Sequence, residues 1–529
     1  MLSFLFLFGV VFWGLYTWSR LRKAIHMLQQ NGYRNERFQK WIKENRKKVF
    51  RKRDFIPLLT VLIAFVDFLD NVAILLFIGL YLILYLVRET GKEKKKLVVT
   101  ARVKRLMATV GILVVVVAGL SFYFELVNQA ALVPLLLTYV VLNILSYYVV
   151  MAGNTINLPI EKSIAQGYAN DAKRIIKQSK DLEVIGITGS YGKTSVKHIL
   201  NTILSSHSNV LMTPESYNTP MGVTITIRTM LRPFHKYFIA EMGAKQEYDI
   251  KDVCDIAQQK YGIITAIGEQ HLETFGSLDT IKKTKFELVD SLPDDGIAFL
   301  NKDDENSMWR APKSNARVVY YGIHADDLDY RAENITFTSK GTSFTVVKKD
   351  GTTINIQTKL LGQHNVYNIL SAVAAASELG VPAKKIEVAS KKIAPVPHRM
   401  EIKKHSSNIT IIDDAFNSNP VGSKMALDVL GQMDGYKVLI TPGMIELGPE
   451  EYNLNKKLGQ HAAKVCDYVI LVGKKQTIPL QDGLKEEQYP EEQTYIARNL
   501  DEAIMKMNEI TKEKTVVLIE NDLPDTFNE

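Results

Sequence analysis

At 529 residues and a formal net charge of +8, the chain has room for about three domains, and its two cysteines, Cys254 and Cys466, exclude a disulfide framework or a four-cysteine zinc ribbon. The basic balance is local: residues 20–54 carry 13 Lys/Arg against 3 acids and residues 88–106 carry 8 against 2, so the remainder of the chain stands at −8. That distribution argues against nucleic acid as a partner and points to a membrane surface.

In chain order, Phe4–Trp18 is almost wholly apolar and is followed by Arg20, Arg22 and Lys23. Positive charge after the apolar stretch fits an uncleaved anchor better than a cleaved signal peptide. Phe55–Val87 is apolar except at Asp67, Asp70 and Asn71. As one helix it would be about 50 Å long against a hydrocarbon core of about 30 Å, so two short spans turning at Asp67–Asn71, or a re-entrant hairpin, fit better. Met107–Glu125 and Ala131–Met151 read as two further spans. Both basic loops then belong on the cytoplasmic side, and so does everything after about residue 155. The expected location is a bacterial cell membrane, multi-pass, with the soluble part in the cytoplasm. His26–Tyr33 and Arg34–Trp41 mix Gln, Asn, Tyr, Arg and Trp, a set able to hold an anionic lipid headgroup or diphosphate, with topogenic charge as the competing reading.

From Ile156 onward strand-like runs alternate with helical ones: Tyr237–Met242, Tyr261–Ile267, Val318–Tyr321, Ile409–Asp413, Lys437–Thr441 and Tyr468–Val472. This predicts α/β units with parallel sheets. At the start of this part, Val184, Ile185 and Ile187 form a strand, Gly189-Ser190-Tyr191-Gly192-Lys193-Thr194-Ser195 a turn, and Val196–Leu204 a helix. A strand, a glycine turn and a helix N-terminus make a phosphate site, with Lys193 reaching the β/γ-phosphates and Thr194 placed for Mg²⁺. Ile187 stands where the strict P-loop has glycine, so the match is to a shorter form.

Further motifs fall at predicted strand ends and loops. They are Tyr217-Asn218-Thr219-Pro220, Glu241-Met-Gly-Ala, the run from Thr265 through His271 with Lys285 beyond it, and Gly362-Gln-His364-Asn365-Val-Tyr-Asn368. His398-Arg399, Asp413-Asp414-Ala-Phe-Asn417-Ser-Asn419-Pro420 and Pro442-Gly443-Met-Ile-Glu446-Leu-Gly448 complete the set. In this order, over about Leu182–Gly448, they resemble the Mur ligases, ATP-dependent peptide-bond formers of the peptidoglycan stem peptide. Within that family the chain is most similar to the branch that adds D-alanyl-D-alanine.

The resemblance implies an acyl-phosphate mechanism and a set of roles. Gly189–Ser195 and Lys193 would cradle ATP, and Thr194 and Glu241 would hold a first Mg²⁺. His271, with a carbamoylated Lys285, would hold a second. Asn368 matches an adenine contact, Asp414 a ribose contact and Arg399 a phosphate contact. Asn218, Thr219, Asn417 and Asn419 match substrate contacts, and Asn301 and Asp303 lie where they could touch the nucleotide. Three departures stand beside these matches. No room exists between Met151 and the P-loop for the family's UDP-sugar domain, Gly443 replaces a usual Asp, and Val516–Asp522 replaces a usual Lys-Gly-Ser.

The sequence therefore predicts a transmembrane region over 1–155, a central ATP-binding domain over 156–395 and a Rossmann-like C-terminal domain over 396–529. The expected activity is a membrane-anchored, ADP-forming amide ligase joining an amino acid or dipeptide to a lipid-linked or nucleotide-linked cell-wall precursor. A catalytically degenerate scaffold of envelope synthesis and a poly-γ-glutamate-type synthase are the alternatives.

Overall fold

The computed structural model describes residues 2–88, 96–128, 132–338, 341–397, 399–406, 408–415 and 418–521. The chain forms two compact units, the first reaching Ala165 and the second starting at Gln166.

The first unit is helical, with helices Leu2–Gln30, Asn35–Glu44, Leu58–Ile63, Asp70–Leu86, Ala101–Asn128 and Leu132–Ile144 and the start of Ser146–Gln178. Phe6 packs against Phe77 and Tyr139 with ring centroids 5.9 and 5.5 Å apart. Arg20 is buried, 3.1 Å from Asp54, and donates to the Val49 carbonyl. Phe38 and Trp41 stack on buried Tyr147, and Arg102 lies 3.9 Å over the Tyr33 ring. Much of the residue mixture in 20–54 is thus engaged in packing this unit.

The sequence predicts five spans; among the described residues one helix, Ala101–Phe124, is long and apolar enough to cross a membrane. A second is gained if Leu132–Ile144 and Ser146–Gln178, bent by 76°, form one broken span. The reason is local. The 55–87 run breaks at the turn Asp67–Leu69, leaving Leu58–Ile63, which at six residues is about 9 Å long, and the 17-residue Asp70–Leu86. Neither half reaches the length that the hydropathy of the whole run promises.

The second unit holds two sheets. The first contains β1 (Glu183–Thr188), β2 (Val210–Met212), β3 (Tyr237–Glu241), β4 (Tyr261–Ile264), β5 (Ile297–Asn301), β6 (Arg317–Gly322), β7 (Tyr330–Thr338), β8 (Gly341–Lys348) and β9 (Thr353–Thr358), in the order 2-3-1-4-5-6-7-8-9. Its strands run parallel as far as β7, and β7–β8–β9 then form antiparallel hairpins that the alternation of the sequence did not separate from the α/β pattern. Ile185, Ile187, Ile239 and Ile263 bury one face against helices Lys193–Ser205 and Gln363–Glu378. Ala372–Ala376 is wholly buried, and its small side chains let that second helix lie close to the sheet and to the glycine turn.

The second sheet contains β10 (Glu401–Lys404), β11 (Ile409–Asp414), β12 (Tyr436–Thr441), β13 (Tyr468–Val472), β14 (Thr494–Ala497) and β15 (Thr515–Glu520), in the order 10-11-15-12-13-14. All neighbours but β10–β11 are parallel. The last strand is therefore inserted at the centre, and the C-terminal ends of β11, β15 and β12 lie side by side, where parallel sheets present their sites.

Candidate active site

The turn after β1 is fastened to the loop after β4. Ser190 N–H donates to the Ala266 carbonyl at 2.6 Å, Ser190 Oγ donates to the Gly268 carbonyl at 2.8 Å, and Tyr191 Oη donates to the Glu269 carbonyl at 3.0 Å. Thr265 Oγ1 also donates to the Tyr191 carbonyl. Gly192 has φ +80°, and a Cβ there would collide with Asn368 Oδ1, so both conformation and space require glycine. Asn368 accordingly lies against the phosphate turn. Lys193 Nζ donates to the carbonyls of Gly189 and Ser190 at 2.7 and 3.0 Å. Burial lowers its ammonium to about 8, Glu241 opposing and Arg399 adding to the fall. Thr194 and Ser195 lie in the first turn of helix Lys193–Ser205.

Glu241 ends β3 and is buried. Its Oε1 accepts from Thr194 Oγ1 and Asn218 Nδ2, each at 3.1 Å, and Lys197 Nζ lies 3.0 Å from Oε2. Burial favours the neutral acid, but Lys197, Lys193 and Asn218 together hold the carboxyl below its ordinary value. Lys197 had no role in the sequence reading, since a lysine one helical turn after Lys193 looks solvated. Its neighbours Val196, Ile199 and Leu200 were the available signal, because they place it on the buried face. Thr219, expected as a substrate contact, caps helix Pro220–Met230 by accepting from Gly222 N–H at 3.2 Å.

His271 has a left-handed backbone, φ 53°, and so does Glu446, φ 63°. Their side chains meet with Nδ1 2.5 Å from Oε2, and Lys245 Nζ lies 3.0 and 3.2 Å from the two oxygens of Glu446. Burial opposes ionisation of Glu446, but His271 and Lys245 more than offset it and bring the carboxyl down to about 2. Burial also lowers the His271 imidazole despite the facing carboxylate, with Lys245 and Lys285 adding to the fall. An ionised carboxylate only accepts, so Nδ1 carries the proton and Nε2 is left as the ligating nitrogen. Lys285 points inward from helix Leu278–Asp290 and is 2 % exposed. Burial and the charge of Lys193 hold its amine well below the usual lysine range, against Asp249 and Glu287. A neutral amine is the form that adds CO₂. Glu287, by contrast, accepts the backbone N–H groups of Tyr248 and Lys251.

The donor set suits the expected metal. Thr194 Oγ1 and Glu241 Oε1 are hard oxygens 3.1 Å apart. Among the described residues no group of three or more His, Cys, Asp or Glu could hold a metal ion alone. Such an open set fits Mg²⁺, which takes one or two protein oxygens and completes its shell with phosphates and water.

At the ends of β11 and β15, Asp414 Oδ1 accepts Met400 N–H at 3.2 Å, and burial raises its carboxyl to about 6 against that bond and Arg399. Arg399 is itself lowered by burial and faces Glu241 and Asp414. Buried Glu520, which the sequence reading left without a role, accepts from Ser418, Ser423 and Thr441, and burial raises it to about 7. Asn419 caps helix Pro420–Gln432 by accepting Gly422 N–H at 2.7 Å. Asn417 and His398 lie outside the described residues. Asp303 accepts the backbone N–H groups of Ile323, His324 and Ala325 and the Tyr367 hydroxyl, which makes it a structural tie. Asn301 accepts from the Asp303 N–H at 3.1 Å.

Comparison with known proteins gives two family matches, the Mur ligase middle domain over residues 187–376 and the Mur ligase glutamate ligase domain over 398–520. A UDP-N-acetylmuramoyl-tripeptide–D-alanyl-D-alanine ligase of Escherichia coli is 33% identical over 56% of this chain and 66% of its own length. The Bacillus subtilis protein of that name is 29% identical over 53% and 60%. The chain thus spans about three fifths to two thirds of the length of the curated relatives it matches. Among solved structures, MurF from Acinetobacter baumannii superposes with a TM-score of 0.59 at 24% identity, covering 69% of this chain and 78% of that one. MurF from Thermotoga maritima in complex with ADP does so with 0.58 at 22%, covering 68% and 80%.

Proposed function

This chain belongs to the Mur ligase family, and from that premise we propose that it is an ATP-dependent, ADP-forming amide ligase acting on a cell-wall precursor. The observation that carries the proposal is the convergence on Glu241 of Thr194, Asn218 and Lys197, beside a phosphate turn lined by Lys193.

In this reading ATP lies with its phosphates over Gly189–Ser195, on the helix N-terminus. Lys193 and Arg399 balance the charge of the transferring phosphoryl group, and Asn368 and Asp414 flank the nucleotide. The acceptor carboxylate oxygen bonds to the γ-phosphorus as the bridging oxygen leaves with ADP. The amine of the second substrate then attacks the acyl carbon, and phosphate departs with the electron pair of the C–O bond. Thr194 and Glu241 would hold one Mg²⁺, and His271 with a carbamate on Lys285 a second; bound there, the ions supply neutralisation of phosphate charge. The protein's share is positioning and electrostatics.

The acceptor and amine follow the class printed in the relatives' names: a muramoyl-peptide carboxylate and an amino acid or dipeptide such as D-alanyl-D-alanine. We place the protein at a membrane, with the acceptor lipid-linked or nucleotide-linked and the ligase unit in the cytoplasm. Support comes from helix Ala101–Phe124, whose Ile112, Val115, Val116 and Leu120 are exposed, and from Phe68, which is 84 % exposed. Phosphate release by the full chain in nanodiscs, with lipid-linked and UDP-linked acceptors crossed against amino acids and dipeptides, tests the proposal. Amine-dependent release with a product of matching mass is expected. ATP binding without amine-dependent release from any pair would favour the scaffold instead.

A further inference from the structure

The two loops that carry the proposed metal ligands leave the first sheet separately: Glu241 ends β3 with Lys245 four residues on, and His271 lies beyond β4. One side chain from the second sheet touches both loops. Glu446 sits between β12 and helix Glu451–Val465, 175 residues from His271, and its carboxylate contacts His271 Nδ1 and Lys245 Nζ together. The segment that holds it is braced on its own domain. Met444 N–H donates to Asn455 Oδ1 at 2.8 Å, Asn455 Nδ2 returns a bond to the Met444 carbonyl at 2.9 Å, and Asn521 Nδ2 donates to the Gly443 carbonyl at 2.6 Å. Met444 and Leu447 are buried on either side of Glu446. The position of Glu446 therefore follows the C-terminal domain as a body. Two non-glycine residues in left-handed backbone meet at this contact, and such conformations persist where the surroundings enforce them.

Resting on the ligase reading above, we propose that Glu446 is a positioning residue that makes the His271 metal site conditional on seating of the C-terminal domain. Glu446 fixes the imidazole with Nδ1–H toward itself and Nε2 toward the site, while its grip on Lys245 aligns the loop following Glu241. With the C-terminal domain swung away, His271 loses the partner that sets its tautomer and ring orientation. Closure and metal loading are then one event, and the acceptor is phosphorylated only in a chain whose amine-binding domain is already in place.

The test uses the full-length protein with a non-hydrolysable ATP analogue, Mn²⁺ as the probe ion, and electron paramagnetic resonance to count bound ions and measure their affinity. Outer-sphere partners of metal ligands are worth about 10–100-fold in affinity, so E446A should weaken one of two Mn²⁺ ions by that factor. E446Q, which can still accept from Nδ1–H, should weaken it less, and K245M least. Spin labels at V388C and M505C, both exposed while the native cysteines are buried, report closure. The distance distribution should narrow with analogue and Mn²⁺ in the unsubstituted protein and stay broad in E446A. If H271A loses one ion and E446A binds both with native affinity, the positioning role is refuted and the ligase reading stands. If H271A itself binds both, the metal role of His271 is refuted and the positioning role with it. A purely structural ion pair would lower the melting temperature of E446A and leave ion count, affinity and distances unchanged, which also refutes the proposal.

Discussion

Replacing Lys197 by Met removes an ammonium and keeps most of the aliphatic stem. Lys197 is wholly buried, with Nζ 3.0 Å from Glu241 Oε2 and 2.8 Å from the Glu215 carbonyl that accepts from it. The substitution strands Glu241 in a buried position with only Thr194 and Asn218 donating to it, and it orphans the Glu215 carbonyl. Breaking one partner of a buried pair costs about 3–5 kcal/mol. Lys193 also faces Glu241, so the lower end applies, about 3 kcal/mol. At about 2–4 °C per kcal/mol, the melting temperature should drop by about 6–12 °C. The pH dependence has a definite sign. In the native protein burial favours neutral Glu241, but the lysines win and the folded value is depressed. Its stabilisation is therefore present above the unfolded carboxylate value and lost as pH falls through the lower folded one. In K197M burial wins, the folded value rises above the unfolded one, and the deficit shrinks as pH falls through that raised value. Thermal melts of both proteins at pH 7.5 and pH 5, with and without Mg²⁺ and an ATP analogue, measure this. The divalent ion should restore more of the variant's loss than it adds to the parent. Equal melting temperatures at pH 7.5 would refute the view of Lys197 as the internal counter-ion of Glu241.

Lys193→Ala should abolish ATP turnover, measured as ADP formation, while leaving the melting temperature within about 2 °C of the parent, because its contacts are two carbonyls of its own turn. Lys285→Ala should lose activity that acetate or propionate partly restores, since the missing group is a ligating carboxylate; full activity without rescue would show that the amine carries no carbamate. Gly192→Ala places a side chain at φ +80° against Asn368, strain of about 1–3 kcal/mol, so nucleotide affinity by calorimetry should fall about tenfold.

Reading the sequence located the phosphate turn and Glu241, His271 and Lys285, because each sits at a strand end or a helix N-terminus where local pattern and chemistry coincide. What it missed is non-local. Glu446 lay in a motif without a role, since its partners His271 and Lys245 are reached only when two sheets have folded. Lys197 was hidden by a charge that reads as solvated, and Glu520 by the three hydroxyls that make a buried carboxyl tolerable there. Asn419 and Thr219, expected at substrate, cap helices, the ordinary work of those side chains before proline. In the first unit, hydropathy marked apolar runs, but the polar residues at 67–71 cut one of them into helices shorter than a bilayer.

The central place of β15 bears on synthesis. β11 and β12 are joined to each other only through β15, which pairs with both. While the ribosome has delivered β10 through β14 but not Thr515–Glu520, the sheet has a gap flanked by two open edges, and Asp414 and Thr441 lack the strand between them. The segment bearing Glu446 likewise lacks its brace from Asn521. A nascent chain can therefore fold its phosphate turn early, yet it acquires a seated second domain only when one late strand slides into the middle. Until then those two edges are the part of the molecule most in need of a chaperone.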